Sequence, residues 1–228
     1  MAILHDTTMS PSKLDLLSSW LPVQPWYAGR APELARAGGF RLDDPEGEVG
    51  IEFMIVTDGT GGQVTSYLVP MTYRASALTG AGGALIGTAE HGVLGPRFIY
   101  DGVHDHVLTT QLVALIQGDA QAQAQRVSNT ADPTVLSQPV ADGPVTVADA
   151  AVTANDRSGT ELRIRTVAPD GSGNGQFLLR VCRILHPGAG PAPDGGGGPD
   201  GGAGRPCVSA PWRLPDGTRA HGTLVTAR

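Results

Sequence analysis

The residues that could do chemistry fall into a few short clusters, and each makes a demand on its surroundings. Three glycine-rich runs, 59–62, 80–83 and 171–175, have the composition of phosphate-cradling loops. A dinucleotide loop needs a strand before it, a helix after it and an acidic residue further on. None of the three runs leads into a helical pattern, and the only lysine, Lys13, is too remote to complete the Gly-Lys-Ser/Thr of nucleotide hydrolases. The runs read as turns. His104, Asp105 and His106 are three potential metal ligands in a row. On a helix the two histidines point about 200° apart, so they cannot chelate one ion. Asp101 and Asp105 then serve as helix caps. The same triplet lacks the asparagine that a phosphotransfer loop needs five positions after its aspartate, because Thr110 stands there. Asp43 and Asp44 sit in a turn-like run. Arg163 and Arg165 share one face of an alternating strand, either to hold an anion or as a solvated outer face. No serine-nucleophile elbow, metalloprotease helix or zinc cluster is present.

The elements that must position these residues are mostly strands. A first helix is expected from Ser10 as cap and Pro11 at its start to Pro22, with Leu14, Leu17 and Leu21 as its apolar stripe. Strands are expected at 49–57, where Ile51, Phe53 and Ile55 alternate with Glu52 and Met54, and at 64–73, joined by a hairpin turn. Pro70 places the second of them at an edge or a bulge. A short strand at 98–100 precedes a helix capped by Asp101 and ended by Gly118, whose stripe includes Leu108, Leu112 and Leu115. These three apolar sets are expected to form one core. Further strands are expected at 145–153, 160–167, 176–185 and 221–226. The Gly/Pro-rich run 187–206 is expected to be disordered.

Composition sets limits on function. The 228 residues include 32 glycines and 18 prolines, with aromatics at 5% and charged residues at 17%, which fits short strands and turns better than long helices. A net charge of −6 disfavours nucleic acid as a partner. No apolar stretch is long enough to span a bilayer, and no secretory signal is read at the start, so a cytoplasmic location is expected. The two cysteines, Cys182 and Cys207, are expected as reduced thiols.

The run WLPVQPWYAGR at 20–30 resembles the opening of maltokinases and related bacterial sugar kinases. In the same order, YLVPMTY at 67–73 is similar to that family's Tyr-x-Val-Pro-Leu strand and IYDGVHD at 99–105 to its Val-x-Asp-Ala-x-x-Asp segment. More faintly, VSNT at 127–130 is similar to the family's phosphate-covering turn, and FLLRVCRILHPG at 177–188 to the strand that carries its ATP-contacting lysine. The resemblance implies an α+β fold. A cystatin-like cap, a curved antiparallel sheet with helices, spans 1–119. A β-rich region like a kinase N-lobe intermediate subdomain spans 120–228. Ser128, Asn129, Thr130 and Arg180 become vestigial nucleotide-site positions, with arginine where the family has lysine. The chain carries no catalytic Asp, Asn or metal-binding Asp in kinase context, and it is too short for the barrel and carboxylate pair of glucan branching.

These readings imply a non-catalytic accessory or scaffold module of maltose, trehalose or glucan metabolism. It would use no cofactor and would dock on a sugar kinase or another enzyme of that metabolism. The alternative is a sugar- or small-ligand-binding module with Trp20, Trp26 and Tyr27 as stacking rings, whose competing role is core packing. An ATP-dependent sugar kinase component is the third reading.

Overall fold

The computed structural model describes residues 9–59, 64–125, 127, 129–141, 143–168, 173–188 and 204–228. After a two-residue strand β1 (Met9–Ser10), helix α1 (Lys13–Trp20) starts two residues later than expected. Ser12 is the cap: its hydroxyl accepts from the Asp15 amide while the Asp15 carboxylate accepts from the Ser12 amide. A 3-10 turn at Leu21–Val23, with Pro22 inside it, ends the segment.

Five strands follow: β2 (Leu34–Leu42), β3 (Gly50–Asp58), β4 (Thr65–Arg74), β5 (Leu85–His91) and β6 (Gly95–Asp101). Asp101 does not cap the next helix. A 3-10 turn at Gly102–His104 intervenes, and the Asp105 carboxylate accepts the Val107 amide at 3.0 Å to start α2 (His106–Gln117). Gly118, left-handed at φ 85°, ends it as expected. The rest is strand: β7 (Gln123–Ala124), β8 (Leu136–Ser137), β9 (Thr146–Asp156), β10 (Gly159–Val167), β11 (Asn174–Val181), β12 (Ile184–Leu185), β13 (Arg205–Arg213) and β14 (Arg219–Ala227). The run 189–203, most of the stretch expected to be disordered, lies outside the described residues.

The fold is therefore mostly antiparallel sheet with few helices. Among the described residues the strands run β1-β5-β6-β4-β3-β2-β13-β14-β11-β10-β9, with β7, β8 and β12 as side pairings. β12 follows β11 in the chain yet pairs with Ser66 and Tyr67 of β4. The strand path thus returns on itself, from β4 through β3, β2, β13, β14 and β11 back to β4. Its narrowest joint is the pair Trp212 and Gly38. A Cβ on Gly38 would lie 3.3 Å from the Trp212 backbone, so the glycine permits the close approach of β13.

β3 is buried on both faces, and this divides the core. Ile51, Phe53 and Ile55 face α2 and pack with Leu108, Leu112 and Leu115. Met54 and Val56 face the other way and pack with Leu17, Trp20 and Leu21. The expected single core joining both helices is replaced by two, one on each side of the sheet. The α2 core also takes in Leu162, Ile164, Leu179 and Val181, so it draws on residues on both sides of position 120. The long strand expected at 176–185 breaks after Val181, because Arg183 turns inward before β12 begins.

Candidate functional site

The most concentrated buried polar chemistry lies where β12 meets the first strands. Trp26, 1% exposed, follows the Pro22 turn and sits 5.7 Å ring to ring from Trp20 and 6.0 Å from Tyr67. Arg183 enters from the far end of the chain and places its guanidinium 5.0 Å from the Trp26 ring centre. Its Nε donates to Thr160 Oγ1 at 2.8 Å and its Nη2 to Asp101 Oδ2 at 2.6 Å. The second carboxylate oxygen of Asp101, Nη1 of Arg183 and the Trp26 indole nitrogen are buried without a hydrogen-bond partner. Beside them the Tyr27 hydroxyl donates to Asp58 at 2.7 Å, and the other Asp58 oxygen accepts the Glu33 amide at 2.7 Å. Burial first, then the Asp58 carboxylate, pushes the Tyr27 hydroxyl far above its ordinary pKa, so it remains a proton donor.

A second cluster surrounds Glu52, 2% exposed in β3. Its carboxylate accepts from Lys13 Nζ at 2.5 Å, the Tyr73 hydroxyl at 2.5 Å, Gln125 Nε2 at 2.7 Å and Arg36 Nη2 at 3.5 Å. Burial alone would raise the Glu52 pKa, but the Lys13 charge and the hydrogen bonds from Lys13 and Tyr73 outweigh it and hold the carboxyl below its ordinary value. Tyr73 is pushed well up by burial and by Glu52 itself. Neither group is poised to exchange a proton near neutrality. Sequence reasoning did not single out Glu52. The available signal was a carboxylate in an apolar strand of a chain with one lysine.

The expected site residues are dispersed. Trp20 and Trp26 are buried in the α1 core, and their rings are occupied by each other, Tyr67 and Arg183; Tyr27 is half-buried. Arg180 lies in β11, donates to Ser158 Oγ at 2.6 Å and pairs with Glu161 at 3.4 Å. Asn129 has φ 51°, and the Thr130 carbonyl accepts the Ala124 amide at 2.7 Å beside β7. Ser128 lies outside the described residues. β7 is attached to β2, and β13 and β14 stand between β2 and β11, so Arg180 is not brought to Asn129 and Thr130. Among the described residues no three His, Cys, Asp or Glu side chains could hold a metal ion. Burial raises the thiols of Cys182 to about 11 and Cys207 to about 12, and both cysteines are unpaired.

Residues 20–105 match the maltokinase N-terminal cap domain. The matched segment spans the 3-10 turn after α1 and strands β2 to β6. No curated protein matches the chain. The matched segment supplies Trp26, Tyr27, Glu52, Tyr67 and Asp101, while Arg183 and β12 come from outside it. Among the described residues no helix is long and apolar enough to cross a membrane.

Proposed function

We propose that the protein is a non-catalytic cap-like module, acting as an accessory or scaffold for a sugar kinase or another enzyme of maltose, trehalose or glucan metabolism. The observation that carries this reading is the match of residues 20–105 to a maltokinase cap. The family resemblance adds the cystatin-like description of that sheet. Two further features support the non-catalytic part. The buried carboxylates Glu52 and Asp105 are held in ion pairs with Lys13 and Arg74. Arg180, at the family's lysine position, is engaged with Ser158 and Glu161.

The test uses the purified chain with and without a maltokinase from the same cell. Co-elution with the kinase, or a change in its maltose phosphorylation, is expected. The chain alone, with ATP, magnesium and maltose, is expected to form no sugar phosphate. Turnover by the chain alone that disappears in Arg180→Ala would overturn the non-catalytic reading.

A further inference from the structure

The joint between β12 and the first strands buries a full ion pair whose hydrogen bonding the protein does not complete. Arg183 is 0% exposed, Asp101 3% and Trp26 1%. Two of the three guanidinium nitrogens are used. Nε donates to Thr160 Oγ1, which donates in turn to Asn155 Oδ1 at 2.8 Å, and Nη2 donates to Asp101 Oδ2. Nη1 of Arg183, Oδ1 of Asp101 and Nε1 of Trp26 are buried with no protein partner. The pair is not the two-bond fork that Arg74 makes on Asp105, because only one oxygen of Asp101 is gripped. Polar and charged groups left dry in an interior are costly, so three of them at one joint call for a further partner.

The three atoms are neighbours. Nη1 shares its carbon with Nη2, which stands 2.6 Å from the other oxygen of the same carboxylate, and that carbon is 5.0 Å from the Trp26 ring centre. One atom making hydrogen bonds of about 2.9 Å joins groups up to about 5.8 Å apart. The chemistry of the partner follows from the groups it must serve. Nη1 and Nε1 only donate, and Oδ1 only accepts. An anion would suit the two donors and repel the carboxylate. A metal ion or an ammonium group would suit the carboxylate and repel the guanidinium. The partner is therefore neutral and both accepts and donates. Side chains this deeply buried leave no opening for a whole sugar, which sets its size.

We infer that a single buried water is held between Arg183 Nη1, Asp101 Oδ1 and Trp26 Nε1. It accepts from both nitrogens and donates to the carboxylate. These are three bonds, the usual number for an internal water. It completes the ion pair while the guanidinium stays against the Trp26 ring. Asp101 and Trp26 lie within 20–105 and Arg183 lies outside that segment, so the water bolts β12 to the matched part of the chain.

The experiment is a crystal structure of the full chain at a resolution that orders internal waters, with oxygen-17 magnetic relaxation dispersion in solution. Density for one water within about 3.2 Å of all three atoms is expected. Dispersion counts waters held long enough to be internal. The parent should exceed Asp101→Leu/Arg183→Met, which keeps only the indole donor there, by one water. Crystals are grown with and without maltose, because a sugar hydroxyl shares the water's chemistry. A dry joint, a direct bond from Nη1 to Oδ1, an ion at the position, or its replacement by a maltose hydroxyl would each overturn the assignment. So would equal water counts in the parent and the folded variant. If the variant does not fold, the density of the parent decides.

Discussion

The two ends of the sheet treat their faces differently. In β3 and β4 nearly every residue is buried, because α1 covers one side and α2 the other. In β10 only alternate residues are fully buried, with α2 on one side and arginines on the other. A strand covered on both faces has no polar side, so a charge that falls there, such as Glu52, must be matched by neighbours. A strand covered on one face can carry charges without that demand. The paired carboxylates of the cap-type segment, Glu52 and Asp105, are thus buried, at 3% and 0% exposure, while Glu161 and Asp149 in β10 and β9 are 17% and 50% exposed.

Arg183 and Asp101 link the two regions, and breaking this pair tests the comparison most severely. Arg183 is 0% exposed and comes from outside the matched segment, yet it pairs with Asp101 inside it. Arg183→Ala leaves a buried carboxylate without its cation and should cost about 3–5 kcal/mol in chemical denaturation. Asp101→Asn/Arg183→Met, which removes both charges, should cost less than Arg183→Ala alone. A double variant as unstable as the single one would mean that Arg183 acts through packing on Trp26 and not through its charge.

A smaller effect is expected from acid titration of the Glu52 cluster. The folded pKa of Glu52 is lowered from an ordinary value of 4.5, chiefly because the cation and hydrogen bonds around it outweigh its burial. A carboxyl depressed on folding contributes stability above its unfolded pKa, and that contribution is lost as pH falls through the folded value. Stability should therefore fall below about pH 4.5 in the parent. In Glu52→Gln, unfolding should take up at most about one proton fewer across that range, so stability falls less steeply with acid, while Asp105, also depressed and paired with Arg74, keeps its own contribution. Identical acid slopes for the two proteins would show that Glu52 is not held ionised in the fold.

How far the sequence revealed these features depended on which face of a strand was covered. The alternation of Leu162 and Ile164 with Glu161, Arg163 and Arg165 was readable because one side of β10 is solvent-facing. The strands β3 and β4 were also visible, as apolar runs. Hidden in the sequence was the use of both β3 faces, because a continuous apolar run does not say which helix covers which side. β2 was missed because Gly38 and Gly39 look like a turn, although Gly38 admits Trp212 and Gly39, at φ 124°, lies against the Phe53 carbonyl. β13 was missed because it emerges from the Gly/Pro-rich run. The Arg183–Asp101 pair spans 82 positions, and no local spacing announces it.

The gentlest expected effect lies on the arginine face itself. Arg165→Ala removes an exposed pair with Asp149 and should shift stability by no more than about 0.5 kcal/mol. Its immediate neighbour supplies the contrast. Ile164 is 0% exposed in the α2 core, and Ile164→Ala should cost about 2–5 kcal/mol. Both residues lie in the same strand, and the span of strand propensities, about 1 kcal/mol, is too small to account for the expected difference, which therefore reports the face. If urea melts gave the two variants similar midpoints, β10 would not be one-sided. The arginines would then belong to a packed layer, and truncating any of them would cost as a core truncation does.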